Sequence, residues 1–379
     1  MQRTDHPLLS QSLGSQKTLT SFHFGTPGAR PKVYIQASLH ADEIPGMLAA
    51  HHLRALLEKA DATRQIEGEV VLVPVANPIG LAQQIDHKPM GRFELATSEN
   101  FNRHYPDLCA AVLPQVRGKL GADAARNTAT VRQAVAEYLQ AWQPKTELAS
   151  LRKRLVALSF DADVVLDLHC DFEAPVHIYT ETPCWPRIEP LAQLLGAQAV
   201  LLAKNSGGLS FDEGLSGHWW QLAEALAAEL PADLPADALP QACASATIEL
   251  RGEADVTHAL GQHDAQALFG YLQHLGVVAG PAPTLPALPC AATPLSGSQT
   301  VETPVPGIVV FAAAVGQRLE IGDTVAEIID PINNTVHVAR AEVAGVLYAR
   351  IARRYVMAGE KLGNIAGSVP FRTGNLLSA

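Results

Sequence analysis

Apolar positions follow one rhythm up to about residue 280 and another beyond about residue 299. In the first stretch, short β-branched runs alternate with longer runs of helical spacing. The runs at 32–39 (KVYIQASL), 69–75 (EVVLVPV), 163–168 (DVVLDL), 176–179, 199–202 and 246–250 predict strands. Helical spacing predicts helices over 46–59, 131–142, 190–195, 219–230 and 263–275. This alternation predicts a layered α/β domain with a mainly parallel or mixed sheet.

The rhythm breaks at 280–294 (GPAPTLPALPCAATP), where proline and alanine are dense, as in semi-rigid linkers. Two similar glycine-punctuated runs follow, PGIVVFAAAVGQRLEIGDTVAEI and AGVLYARIARRYVMAGEKLGNI. Each opens beside a glycine, Gly307 or Gly345, and carries a second one, Gly322 or Gly359. A twofold repeat of short strands predicts a small β-barrel or sandwich. The expected organisation is an α/β domain over 1–280, a Pro/Ala-rich linker over 281–297 and a β-rich domain over 298–379.

Composition narrows the partners. The chain of 379 residues is 47% hydrophobic and 17% charged, which allows a large core and argues against global disorder. Its formal net charge of −10 is spread without a long basic cluster, which argues against nucleic acid or an anionic membrane as main partner. Cys109, Cys170, Cys184, Cys243 and Cys290 are widely spaced with no CxxC, as in a reducing compartment. The start, MQRTDHPLLSQSL, lacks the apolar core of a signal peptide. No run reaches the roughly 18 apolar residues of a membrane span. A cytoplasmic protein with a small-molecule substrate is the expectation, and homo-oligomerisation stays open.

Candidate chemistry sits at strand ends. His40 and Glu43 form an H-x-x-E pair after the first of these strands, and His169 ends the run DVVLDLH. Imidazole and carboxylate are ordinary Zn²⁺ ligands, and the carboxyl ends of strands are where open α/β sheets place their sites. Two histidines and one glutamate leave a coordination position open, the catalytic arrangement. Asp167 reads either as the carboxylate that orients a ligand or as a strand residue facing a helix. The stretch NSGGLSFDEGLSGHWW, residues 205–220, reads first as a plain surface loop with a helix N-cap, and otherwise as a specificity wall whose Asp212 and Glu213 would suit a cationic substrate group.

Together, HADE (His40–Glu43), NFNRHYPD (Asn100–Asp107), DLHCD (Asp167–Asp171) and TIELRG (Thr247–Gly252) resemble the succinylglutamate desuccinylase/aspartoacylase family. That resemblance implies a zinc-carboxypeptidase-like α/β/α domain with a mixed sheet and one Zn²⁺ held by His40, Glu43 and His169. It also implies Glu249 as general base, Asn102 and Arg103 as the grip on a substrate carboxylate, and Arg92 as the group that polarises the scissile carbonyl. The implied activity is hydrolysis of the amide of an N-acyl amino acid or related carboxylate-bearing amide. The alternative is carboxypeptidase action on short peptides. On the residues alone, Glu249 also reads as a partner of Arg251, Arg103 as a surface partner of Asp107, and Arg92 as an ordinary loop arginine. The tail resembles a biotinyl/lipoyl hammerhead, yet DPINNTVHVARAEV between its halves has no lysine to carry a cofactor. A structural cover or an oligomerisation element is therefore expected.

Overall fold

A computed structural model describes residues 1–227 and 238–377. The chain opens with a polar hairpin, β1 (Gln2–Pro7) and β2 (Thr18–Gly25). Then come β3 (Lys32–Ala37), α1 (Pro45–Ala62), β4 (Glu69–Val73) and the one-turn α2 (Pro78–Leu81). A two-residue ladder follows, β5 (Gln84–Ile85) with β6 (Lys88–Pro89). Helices α3 (Leu108–Val116), α4 (Ala124–Ala141) and α5 (Glu147–Ser159) lead to β7 (Val164–Asp171) and β8 (His177–Glu181). The unit continues with α6 (Trp185–Leu195), β9 (Ala199–Ala203), α7 (Phe211–Leu226), β10 (Ala244–Gly252), α8 (His258–His274) and β11 (Ala292–Pro294).

Among the described residues these strands form a nine-stranded mixed sheet, in the order β1-β2-β4-β3-β7-β10-β8-β9-β11. Its centre, β4-β3-β7-β10, is parallel, while β2 joins β4 and β8 joins β10 antiparallel. Alternate residues of each strand feed two cores. Val33, Ile35, Leu166 and Ile248 meet α1, α6 and α8 on one face. Tyr34, Val71 and Val165 meet α3, α4, α5 and α7 on the other. The result is helices on both sides of the sheet.

Several elements depart from the sequence expectation. The hairpin β1–β2 and helices α3 and α5 are absent from the sequence expectation, although α3 buries Leu108, Val112 and Val116 and α5 buries Leu148, Leu151, Leu155 and Val156 at helical spacing. Helix α7 begins inside the expected loop 205–220, placing Asp212 and Glu213 in its first turn. The Ser210-x-x-Glu213 spacing is the signal that marks such a start. The last residues of the helix expected over 219–230 lie outside the described residues. The end of the expected linker is not free either, because β11 pairs with β9 at the sheet edge.

The C-terminal unit holds β12 (Gln299–Glu302), β13 (Gly307–Phe311), β14 (Arg318–Leu319) and β15 (Thr324–Asp330). Its second half holds β16 (Thr335–Arg340), β17 (Gly345–Arg350), β18 (Tyr355–Val356) and β19 (Lys361–Gly367). They form two four-stranded antiparallel sheets, β12-β19-β17-β14 and β16-β15-β13-β18, around Val309, Leu319, Ile328, Leu347 and Ile365. The half-repeats exchange strands, since β14 pairs with β17 and β18 with β13. Gly322 (φ 94°) and Gly359 (φ 83°) make equivalent left-handed turns before β15 and β19, which explains their repetition. The two units touch where Glu173 accepts from Arg350 and Arg354, both at 2.6 Å, and where Leu376 N donates to Ser206 O at 2.8 Å.

Candidate active site

On the α7 side of the sheet, three adjacent strands turn polar toward their carboxyl ends. β3 presents Tyr34 then Gln36, β7 presents Val165 then Asp167 and His169, and β10 presents Ser245, Thr247 and Glu249. Parallel register sets Gln36 and Thr247 beside Asp167, and Glu249 beside His169. A buried chain of hydrogen bonds runs through this surface. Tyr34 donates to Gln36 Oε1 at 2.9 Å, and Gln36 Nε2 donates to Asp167 Oδ1 at 2.9 Å. Asp167 Oδ2 lies 3.0 Å from His169 Nε2. Asp167 therefore faces His169.

His40 and Glu43 occupy the turn between β3 and α1. Ser38 enters that turn at φ 64°, a left-handed conformation uncommon for non-glycine residues and often kept at working sites. Ala41 N donates to Gly91 O at 3.0 Å, and a Cβ on Gly91 would fall 2.2 Å from Asp42 N. The turn thus rests directly on a backbone that only glycine fits.

The three candidate ligands converge. His40 Nδ1 lies 2.8 Å from Glu43 Oε1, and His169 Nδ1 lies 2.6 Å from Glu43 Oε2. One ligand atom of each lies within 4.8 Å of the others, and all three residues are buried. His40 Nε2 lies 2.9 Å from Asn100 Oδ1, which also accepts from Asn102 N at 2.8 Å. Asn100 Oδ1 offers an acceptor at Nε2, and with the ring proton there the Nδ1 lone pair would point at the cluster. Asp167 Oδ2 lies behind the His169 ring at ion-pair distance from Nε2, although the two atoms do not meet in hydrogen-bond geometry.

Burial pushes the His40 pKa down. Burial opposes charge on His169 too, but Asp167 and Glu43 outweigh it and hold that imidazole well above its ordinary value. Glu43 is likewise penalised by burial and still lies well below the carboxylate range, because both histidines favour its charge. Glu249 is half-buried, and its Oε2 has no hydrogen-bond partner among the described residues. Burial, then the charge of Glu43, pushes its pKa well up. Arg251 pairs with Asp264, not with Glu249.

Arg92 Nη1 lies 3.3 Å from His40 Nδ1 and 3.5 Å from Glu43 Oε1, with the side chain 36% exposed. Arg103 is buried, at 8% exposure, and its Nη1 donates to Asn102 O at 2.7 Å. Asn102 Oδ1 accepts from Phe211 N at 2.8 Å, tying this loop to the start of α7. Asp107 is instead the N-cap of α3. All seven candidate residues line one cavity of about 580 Å³.

The cavity also contains residues that sequence reading passed over. Glu181 accepts from Trp220 Nε1 at 2.7 Å and from Ser216 Oγ, and burial pushes its pKa up to about 8. Glu253 is pushed up to about 7 by burial and then by Asp42 and Glu43. Tyr348, Lys361, Asn364 and Arg372 reach the cavity from the C-terminal unit. Asn100 had a signal, its place in NFNR. The others have none, because only the fold brings them here.

Fold and site define a mixed α/β protein with a buried His/Glu/His cluster that could hold a metal ion at the floor of a polar cavity. A model of the succinylglutamate desuccinylase/aspartoacylase catalytic domain matches residues 29–275. The crystal structure of a succinylglutamate desuccinylase/aspartoacylase family protein from Shewanella amazonensis superposes with a TM-score of 0.82 at 26% identity, covering 97% of this chain and 98% of that one. A second such structure, from Shewanella frigidimarina, gives 0.81 at 24% identity, covering 96% of each chain. The product-bound ectoine utilisation protein of Ruegeria pomeroyi shares the fold, with a TM-score of 0.65 at 15% identity over 96% of this chain and 93% of that one. Comparison with curated proteins gives no match. The chain belongs to the succinylglutamate desuccinylase/aspartoacylase family, whose members are amide-cleaving, deacylating hydrolases. Among the described residues, no helix is long and apolar enough to cross a membrane.

Proposed function

We propose that this protein is a zinc-dependent hydrolase of the amide bond in an N-acyl amino acid or related small carboxylate-bearing amide. The observation that carries the reading is the meeting of His40, Glu43 and His169 with Glu249 and Arg92 in one cavity. Two imidazoles and a carboxylate are a donor set that suits zinc; both Nδ1 atoms face Glu43, His40 Nε2 is held by Asn100, and the Asp167 carboxylate lies 3.0 Å from His169 Nε2. The residues therefore fit one Zn²⁺. When bound, the cation acidifies water and polarises a carbonyl.

The remaining roles belong to the chain. Glu249, with a raised proton affinity and a free oxygen, takes the proton of the attacking water and delivers it to the departing amine. Arg92, beside the cluster, faces the oxyanion that develops at the scissile carbonyl. Arg103 offers a planar fork to the substrate carboxylate, and Asn102 fixes that fork through its carbonyl. For the C-terminal unit we propose a hammerhead-like barrel that carries no biotin or lipoate, since residues 330–343 contain no lysine.

The test is Glu249→Gln. It should retain zinc by metal analysis and lose turnover by roughly two to four orders of magnitude. Near-normal turnover refutes the role. A panel of N-acyl amino acids and dipeptides checks the substrate class, and cleavage of dipeptides alone would favour the carboxypeptidase alternative.

A further inference from the structure

Past β19, residues 371–377 form neither helix nor strand, yet they are fastened at both ends. Phe371 N and Arg372 N donate to Ser296 O at 3.0 and 2.9 Å, and Arg372 Nη2 donates to Leu376 O at 2.7 Å. Leu376 N in turn donates to Ser206 O at 2.8 Å. The side chains of Leu376 and Leu377 join an apolar cluster with Leu201, Leu295 and Tyr348. Asn375, Leu376 and Leu377 all line the cavity. The segment is a strap that leaves the C-terminal unit and ties down on the turn before α7.

That turn is strained, and it touches Arg103. Gly207 (φ 96°) and Leu209 (φ 46°) both lie in the left-handed region, which is unusual for a leucine. Such a conformation persists only where its surroundings hold it. On one flank, Ser206 N donates to Glu213 Oε1 at 2.7 Å and Tyr105 N to Leu209 O at 3.3 Å. The strap supplies the rest. A Cβ on Gly207 would fall 2.3 Å from Asn375 Oδ1 and 3.0 Å from Asn375 Cα, so strap and turn are in close contact there. At the next residue the turn meets the Arg103 side chain, because a Cβ on Gly208 would fall 2.9 Å from both Cδ and Nε of Arg103.

We propose that residues 371–377 are a positioning element of the substrate site: by fixing the turn at 206–209 they fix the Arg103 fork that receives the substrate carboxylate. This rests on the role proposed for Arg103 above. A fork already held in place loses less freedom when it binds. The strap therefore acts on recognition of the carboxylate and leaves the chemical step at Glu249 largely alone.

Wild type is compared with a chain stopped after Pro370 and with Gly207→Ala, whose methyl group drives strap and turn apart. The substrates are an N-acyl amino acid and its amide-capped analogue. Both variants should raise KM for the free acid, relative to the capped analogue, by about 10-fold or more, the scale of a charged hydrogen bond no longer held in place, while kcat changes little. An unchanged ratio, or equal KM increases for both substrates, overturns the proposal. If the shortened chain does not fold, Gly207→Ala alone decides. If wild type cleaves neither substrate, or treats the two alike, the role of Arg103 fails on its own. Amide hydrogen exchange then settles the strap in the same variants: exchange across 206–209 at least about tenfold faster than in wild type supports it, and unchanged protection sinks it.

Discussion

At the scale of single residues, the site divides into groups the sequence reveals and groups it hides. His40, His169 and Glu249 stand at the ends of apolar runs, where a polar residue is conspicuous. Their chemistry is legible because a strand has only one such end in reach of its neighbours. Lys361 and Glu181 lie in segments whose pattern is that of ordinary strands, and only the folded chain aims them at the cavity. Arg103 falls between these cases. The NFNR motif announces it, but its burial and its seat against Gly208 come from the loop before α7. Arg103→Ala should raise KM for carboxylate-bearing amides by a factor corresponding to about 1.5–3 kcal/mol, with a smaller effect on kcat. Steady-state kinetics on an N-acyl amino acid and its amide-capped analogue check this, because the capped analogue should respond far less. Equal losses for both would move the carboxylate grip elsewhere.

At the scale of elements, the parallel centre of the sheet was readable and its surroundings were not. Strands β3, β4 and β7 are buried on both faces, so they appear as continuous apolar runs. The hairpin β1–β2 is largely polar and looks like a tail. Helix α7 hides behind glycines and serines that favour loops, although a capping-box spacing marks its start. The turn between β3 and α1 depends on Gly91, where a methyl group would meet Asp42 N at 2.2 Å. Gly91→Ala should therefore displace the turn carrying His40 and Glu43. The expected result is reduced zinc stoichiometry, measured by metal analysis, together with a lower melting temperature. Full zinc content in that variant would mean that the turn has room to yield.

At the scale of the whole molecule, the two units share one cavity, so their docking matters to chemistry. The sequence announced a second unit through its repeated glycines, but nothing in it places that unit against the first. Glu173 is the hinge pin of the contact. Burial raises its pKa, but Arg350 and Arg354 outweigh burial and hold it below the ordinary carboxylate value. A depressed folded pKa contributes stability above the unfolded pKa, which is lost as pH falls through the folded one. The contact is partly exposed, so solvent screening limits it to about 1 kcal/mol. Glu173→Gln should lower the melting temperature at neutral pH. The gap from wild type should close as the pH is taken below about 4, where the carboxyl of an unfolded chain protonates. A gap that persists unchanged in acid would show that the loss comes from packing.

One amide oxygen, Asn100 Oδ1, receives both the ring of His40 and the backbone of Asn102. On the proposed reading, a cation seated among His40, Glu43 and His169 should steady that ring, and the same oxygen should pass the order on to the segment holding Arg103. Thermodynamic reciprocity then predicts that the protein stripped of its ion recognises carboxylates less firmly, and that a seated substrate makes the ion harder to remove.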